Sequence, residues 1–158
     1  KNQRIERVTP AHLEFGISAY IPSSYISSSR QRMEIYRRIS ACQNERDIEQ
    51  LRRDVADAFG KPPPMLDRLL LLAENRLLAG KWRIQSMILH RPDIIITPKD
   101  MQLAERVFAG APGLVRLVDG EQIYWRLPSN YLEPDTLLVI LRRILLRADQ
   151  PAIVRNNG

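Results

Sequence analysis

The stretch GKWRIQSMILHRPDIIIT, Gly80 to Thr97, decides how this chain folds. Up to Gly80 the apolar residues recur at three- and four-residue spacing. From Ile84 they bunch into two short runs, Ile84 to Leu89 and Asp93 to Thr97, separated by Arg91-Pro92. The first spacing belongs to amphipathic helices and the second to buried strands joined by a turn. The change of period predicts a helical first half followed by a sheet-bearing second half, an α+β fold.

Working back from Gly80, the spacing predicts three helices. Leu66, Leu69, Leu70, Ala73 and Leu77 give one broad apolar face from Pro64 to Ala79, with Gly80 expected to close the helix. Before it, Ile48, Leu51, Val55 and Phe59 mark a second helix. Asn44 with Asp47 opens it, and Gly60 followed by Pro62 to Pro64 stops it. The first helix starts at Ser28, which forms a capping pattern with Gln31, and Met33, Tyr36 and Ile39 are expected to face inward beside Ile35 and Cys42. Ser28 is therefore read as a cap and not as a nucleophile. Leu13, Phe15 and Ile17 alternate as a short strand that Pro22 ends.

Working forward, Lys99 to Phe108 is a short helix ended by Ala109-Gly110. Leu114 to Val118 and Gln122 to Leu127 form a hairpin about Asp119-Gly120, a dipeptide suited to the tightest hairpin turns. A last helix starts near Glu133-Pro134, where proline fits the first turn, and runs to about Arg147 on Leu137, Leu138, Leu141, Ile144 and Leu145. The expected order after the helical half is ββαββα, with one small mixed or antiparallel sheet.

Composition narrows the chemistry. The chain has 158 residues, 44% of them hydrophobic, enough for one domain with a core. The single cysteine, Cys42, excludes an internal disulfide and suits a reducing compartment. His12 and His90 lie far apart, without the spacing of a zinc site. No apolar run approaches the ~18 residues of a membrane-spanning helix. Gly110-Ala-Pro-Gly113 lacks the Gly-Lys-Ser/Thr element of a phosphate loop and follows a helix where such a loop follows a strand. No catalytic, cofactor or metal residue is expected, and no ATPase activity. The net charge of +6 invites a nucleic-acid reading, but the longest basic runs are pairs such as Arg37-Arg38 and Arg142-Arg143, with acids interspersed. Trp82, Tyr124, Trp125 and Tyr131 are expected to pack the sheet.

Two acids stand out. Asp54 and Asp57 lie three residues apart on one face of the second helix, toward its C-terminal end. Carboxylates there oppose the helix dipole and repel each other weakly, with Arg53 the expected neighbour to offset them. Either the pair is ordinary solvated surface, or it is an acidic patch that meets arginines of a partner.

Ile21-Pro22-x-x-Tyr25-Ile26 followed by Arg32, Tyr36, Arg38 and Ile39 resembles the opening of the C-terminal domain of bacterial transcription-repair coupling factors. Asp54-Val-Ala-Asp57-x-Phe59-Gly60-x-x-Pro63, then Leu69-Leu70 and Ala73, resembles the next motif of that family. The resemblance implies a noncatalytic regulatory domain, from 13 to 149, of an ATP-dependent DNA translocase in the cytoplasm. Residues 1–12 would be a linker from a preceding translocase region, consistent with the first residue being Lys1, and 150–158 a flexible tail. It implies packing on the UvrB-like module of the same protein, through the positions of Asp54 and Asp57, so that the UvrA-binding surface is masked. UvrA, RNA polymerase and DNA are then indirect partners, and no membrane is involved. Ser23, Ser24, Ser27 and Ala58 depart from the family pattern; at Ala58 an arginine is usual. The competing reading is a basic nucleic-acid-binding module. The proline, tyrosine and serines of Ile21 to Ser28 are expected to set where the first helix starts and to dock it on the strand before it.

Overall fold

The computed structural model describes residues 7–148. The chain runs β1 (His12–Glu14), α1 (Ser29–Ala41), α2 (Glu45–Phe59), α3 (Pro64–Lys81), β2 (Ile84–His90), β3 (Asp93–Pro98), α4 (Met101–Phe108), β4 (Leu114–Val118), β5 (Gln122–Arg126), a 3-10 turn (Ser129–Leu132) and α5 (Pro134–Ala148). The sheet is mixed, in the order β1-β2-β3-β5-β4. β1 runs parallel to β2, and the other pairs are antiparallel. Three helices connect β1 to β2, and a connection of that length is what parallel neighbours need. The α+β class and the order of the second half agree with the sequence reading.

The helix starts are made locally, as their sequences require. Ser28 Oγ accepts from the Gln31 amide at 3.2 Å, and Asn44 Oδ1 from the Asp47 amide at 2.9 Å. The Asp47 carboxylate reaches back to the Gln43 amide at 2.8 Å, closing that cap from both sides. At the β4–β5 turn, Asp119 and Gly120 both take positive φ, 57° and 68°, as the tight hairpin requires.

The core has two parts. Ile21, Ile26, Ile35, Ile48, Leu51, Val55, Leu66 and Leu70 are among the residues of an aliphatic core inside α1, α2 and α3. A second core lies between the sheet and helices α3, α4 and α5, around Met87, Ile94, Ile96, Phe108, Ile123 and Trp125. Helix α3 serves both, with Leu70 and Leu77 in the first and Leu72 and Leu78 in the second. Asn75 ties α3 to α5 by donating from Nδ2 to the Leu138 carbonyl at 3.1 Å.

Three expectations need correction. Met33 is 60% exposed, because the inner stripe of α1 passes through Ile35, Tyr36, Ile39 and Cys42. Gly80 does not end α3; the helix continues to Lys81, and the chain leaves it through Arg83 at φ 59°. A Cβ on Gly80 would fall 2.0 Å from the Thr9 carbonyl oxygen, so the glycine is there for close approach. Finally, α1 docks on α2 and α3 and not on β1, since the short strand buries its Leu13 in the sheet core. Ordered packing reaches back to Thr9 on Gly80 and to Ala11, whose amide donates to the Arg76 carbonyl at 2.9 Å. Of the expected linker, residues 1–6 lie outside the described residues, as does the expected tail 150–158.

Candidate functional site

The two sequence motifs meet at the C-terminal end of α2. The turn after Ile21 is closed by the amides of Tyr25 and Ile26, which donate to the Pro22 carbonyl at 3.0 and 3.1 Å. That turn aims Tyr25 across the helices. Its hydroxyl donates to the Gly60 carbonyl at 2.5 Å, and its ring tilts against Phe59 with centroids 6.1 Å apart. Burial, with the nearby Asp67 charge, raises the Tyr25 pKa, so the phenol keeps the proton it donates. Gly60 takes φ 91°, which only glycine adopts without strain, and this turns its carbonyl out of α2. Arg32 donates to the carbonyls of Ile26 and Ser27 at 2.7 and 2.9 Å. The Tyr36 hydroxyl accepts from the Ile21 amide at 2.8 Å. Contacts from α1 and from the end of α2 thus clamp the Ile21–Ser28 loop against the helical core, which makes Tyr25 and Tyr36 structural.

The clamp displays α2 by its outer face. Asp54 is half-buried there, and its two oxygens are taken: Oδ2 by Arg38 of α1 at 2.6 Å and Oδ1 by the Gln50 amide nitrogen at 2.9 Å. The hydrogen bond from Arg38, helped by Gln50, holds the Asp54 carboxyl below the usual range. The carboxylate is therefore ionised and fixed in direction. Asp57 is exposed one turn on and pairs with none of the described residues. Only Asp57 lies in the last turn, where the dipole opposes an acid and no basic residue offsets it. Arg53, the expected neighbour, instead reaches Glu49 at 3.6 Å. The Arg38–Asp54 pair had no signal in the sequence, because the register of α1 against α2 is a tertiary fact. Gln50 did have one, four residues before Asp54 on the same helix.

The other candidates resolve into packing. Trp125 is fully buried, donates to the Pro112 carbonyl at 2.8 Å and packs on Phe108 at 5.4 Å. Trp82 donates to the Leu145 carbonyl at 3.0 Å. Gly113, in the glycine-bearing loop, takes φ 86°, and a Cβ there would fall 2.1 Å from the Arg126 carbonyl oxygen. Cys42 is a buried thiol with its pKa raised, mainly by burial. Among the described residues no group of three or more His, Cys, Asp or Glu could hold a metal ion, and no helix is long and apolar enough to cross a membrane.

Fold and surface together define a small α+β domain, a three-helix core joined to a mixed sheet, with an acid pair displayed where its leading motifs meet. Residues 15–106 match the TRCF domain family, and the chain belongs to that family. It is 31% identical over 83 residues to the transcription-repair-coupling factor of Rickettsia prowazekii (strain Madrid E), covering 52% of this chain and 7% of that protein. It is 33% identical over 76 residues to the transcription-repair-coupling factor of Buchnera aphidicola subsp. Acyrthosiphon pisum (strain APS), covering 48% of this chain and 9% of that protein. The matched part thus spans 7% and 9% of the length of these two relatives. A crystal structure of the C-terminal domain of transcription-repair coupling factor has the same fold, with a TM-score of 0.74 at 24% identity, over 91% of this chain and 96% of that one.

Proposed function

We propose that this domain is a noncatalytic regulatory module of a transcription-coupled repair translocase in the bacterial cytoplasm. It packs through the end of α2 on a UvrB-like module of the same full-length protein and masks that module's UvrA-binding surface. UvrA, RNA polymerase and DNA are its partners only through the parent protein. The observation that carries this reading is the pair of carboxylates one helical turn apart, Asp54 locked in direction by Arg38 and Asp57 exposed and paired with none of the described residues. A preoriented carboxylate beside an exposed one suits arginines arriving from a partner, which bind carboxylates through two parallel hydrogen bonds. Masking then works as a population shift: the closed form hides the UvrA surface, and whatever weakens the contact exposes it more often.

Mixing the 158-residue chain with a separately expressed UvrB-like module measures the contact directly. Asp54→Ala with Asp57→Ala is expected to lower that affinity about tenfold or more, the size of an interfacial charge-pair coupling. The same change in the intact parent is expected to strengthen UvrA binding. Unchanged affinity in both settings overturns the reading. The alternative, a basic nucleic-acid-binding module, draws on the net charge of +6. Tight duplex DNA binding with a steep salt dependence would favour it.

A further inference from the structure

The loop after α4, through Gly110 and Pro112, the C-terminal half of α5 and the 3-10 turn line a groove of about 470 Å³ that plays no part in that reading. Tyr131, Ile140 and Ile144 give it an apolar floor, and Arg143 and Arg147 stand on its rim. It continues into a hollow of about 160 Å³ that shares Ile144 and Arg147 and adds Arg106. Arg106, Arg143 and Arg147 are exposed and pair with none of the described residues. Their neighbour Arg142, by contrast, is held by Glu74 at 2.6 Å. Arg106 and Arg147 lie in the last turns of their helices, where a cation favours the carbonyl end. That accounts for neither Arg143, a turn earlier, nor the apolar floor between the cations.

We propose that this groove docks an acidic protein segment. Arg143 and Arg147 are four residues apart on one face of α5, so they can hold carboxylates on either side of an apolar side chain that enters between Tyr131, Ile140 and Ile144. Arginine and aromatic side chains around a desolvated apolar centre are what concentrate binding energy at protein interfaces. A nucleic-acid backbone would meet the guanidiniums through its phosphates and leave the apolar floor unfilled. The groove is a separate surface from the acid pair of α2, and it takes a partner of opposite charge.

The test uses the 158-residue chain and three fluorescent probes at one salt concentration: a short peptide with glutamates on both sides of a leucine pair, the same peptide with serines for the leucines, and duplex DNA. The leucine peptide is expected to bind at least about tenfold more tightly than the serine peptide. Arg143→Glu with Arg147→Glu, and separately Ile140→Asp, are each expected to weaken it about tenfold, while the helical circular dichroism signal is retained. Equal binding of the two peptides, no binding of either, or DNA binding that alone falls in the Arg143→Glu and Arg147→Glu variant overturns the proposal. A leucine preference that survives both changes overturns it too, because the peptide would then sit elsewhere.

Discussion

The helical core and the sheet core bury their residues by different means. The helical core is mainly aliphatic, and polar ties hold its boundary: Tyr25 to Gly60, Tyr36 to the Ile21 amide, Arg38 to Asp54. The sheet core contains the largest fully buried side chains of the domain, Trp125 and Phe108, and its polar ties include the two indole N–H groups and the Asn75 side-chain amide. A hydrogen bond from one side chain to one carbonyl fixes identity and spacing together. An apolar core asks only for volume and pattern. The residues that suggested the family therefore lie in and around the helical core, and the sheet half was recognisable mainly by the order of its elements.

The largest expected effect tests the sheet side of this contrast. Trp125→Ala removes a fully buried ring and its bond to Pro112 and should cost about 3–5 kcal/mol in chemical denaturation. Since α3 is packed in both cores, the loss should appear as one cooperative transition. Two separate transitions would show that the cores unfold independently.

A smaller effect, confined to acid, concerns the outer face of the sheet. The hydrogen bond from Arg126 holds the Asp93 carboxyl below its ordinary range, with Arg116 adding to it. The folded value is thus below the unfolded one. The contribution is complete above about pH 4, the ordinary aspartate range, and is lost as pH falls through the lower folded value. Asp93→Asn should flatten the fall of stability in acid without abolishing it, since Arg38 and Arg68 depress Asp54 and Asp135 in the same way. A pH series of thermal melts that is parallel for the two proteins would show that Asp93 does not contribute there.

The helical side is sharpened by a pair of changes on α1. Tyr36→Phe keeps the ring and removes the acceptor for the Ile21 amide, for an expected loss of about 1 kcal/mol. Met33→Ala, which the apolar spacing alone would rank with it, should stay within about 0.5 kcal/mol because the side chain is exposed. Equal losses at the two positions would refute the inner stripe through Ile35 and Ile39.

What the sequence determined by itself is what a few neighbouring residues decide. The caps at Ser28 and Asn44, the stop at Gly60, the turn at Asp119-Gly120 and the change of period at Ile84 each depend on hydrogen bonds or sterics within about four residues. The acid pair was visible for the same reason, since its spacing is a property of one helix. Tertiary structure decided which side of α1 faces inward, that Gly80 admits the Thr9 carbonyl within a continuing helix, and that β1 joins the sheet parallel to β2. It also decided that Asp54 is already held by Arg38 while Asp57 stays exposed, paired with none of the described residues. Each of these depends on the register between segments far apart in the chain. That register is set by the packing of whole faces, and no local pattern encodes it.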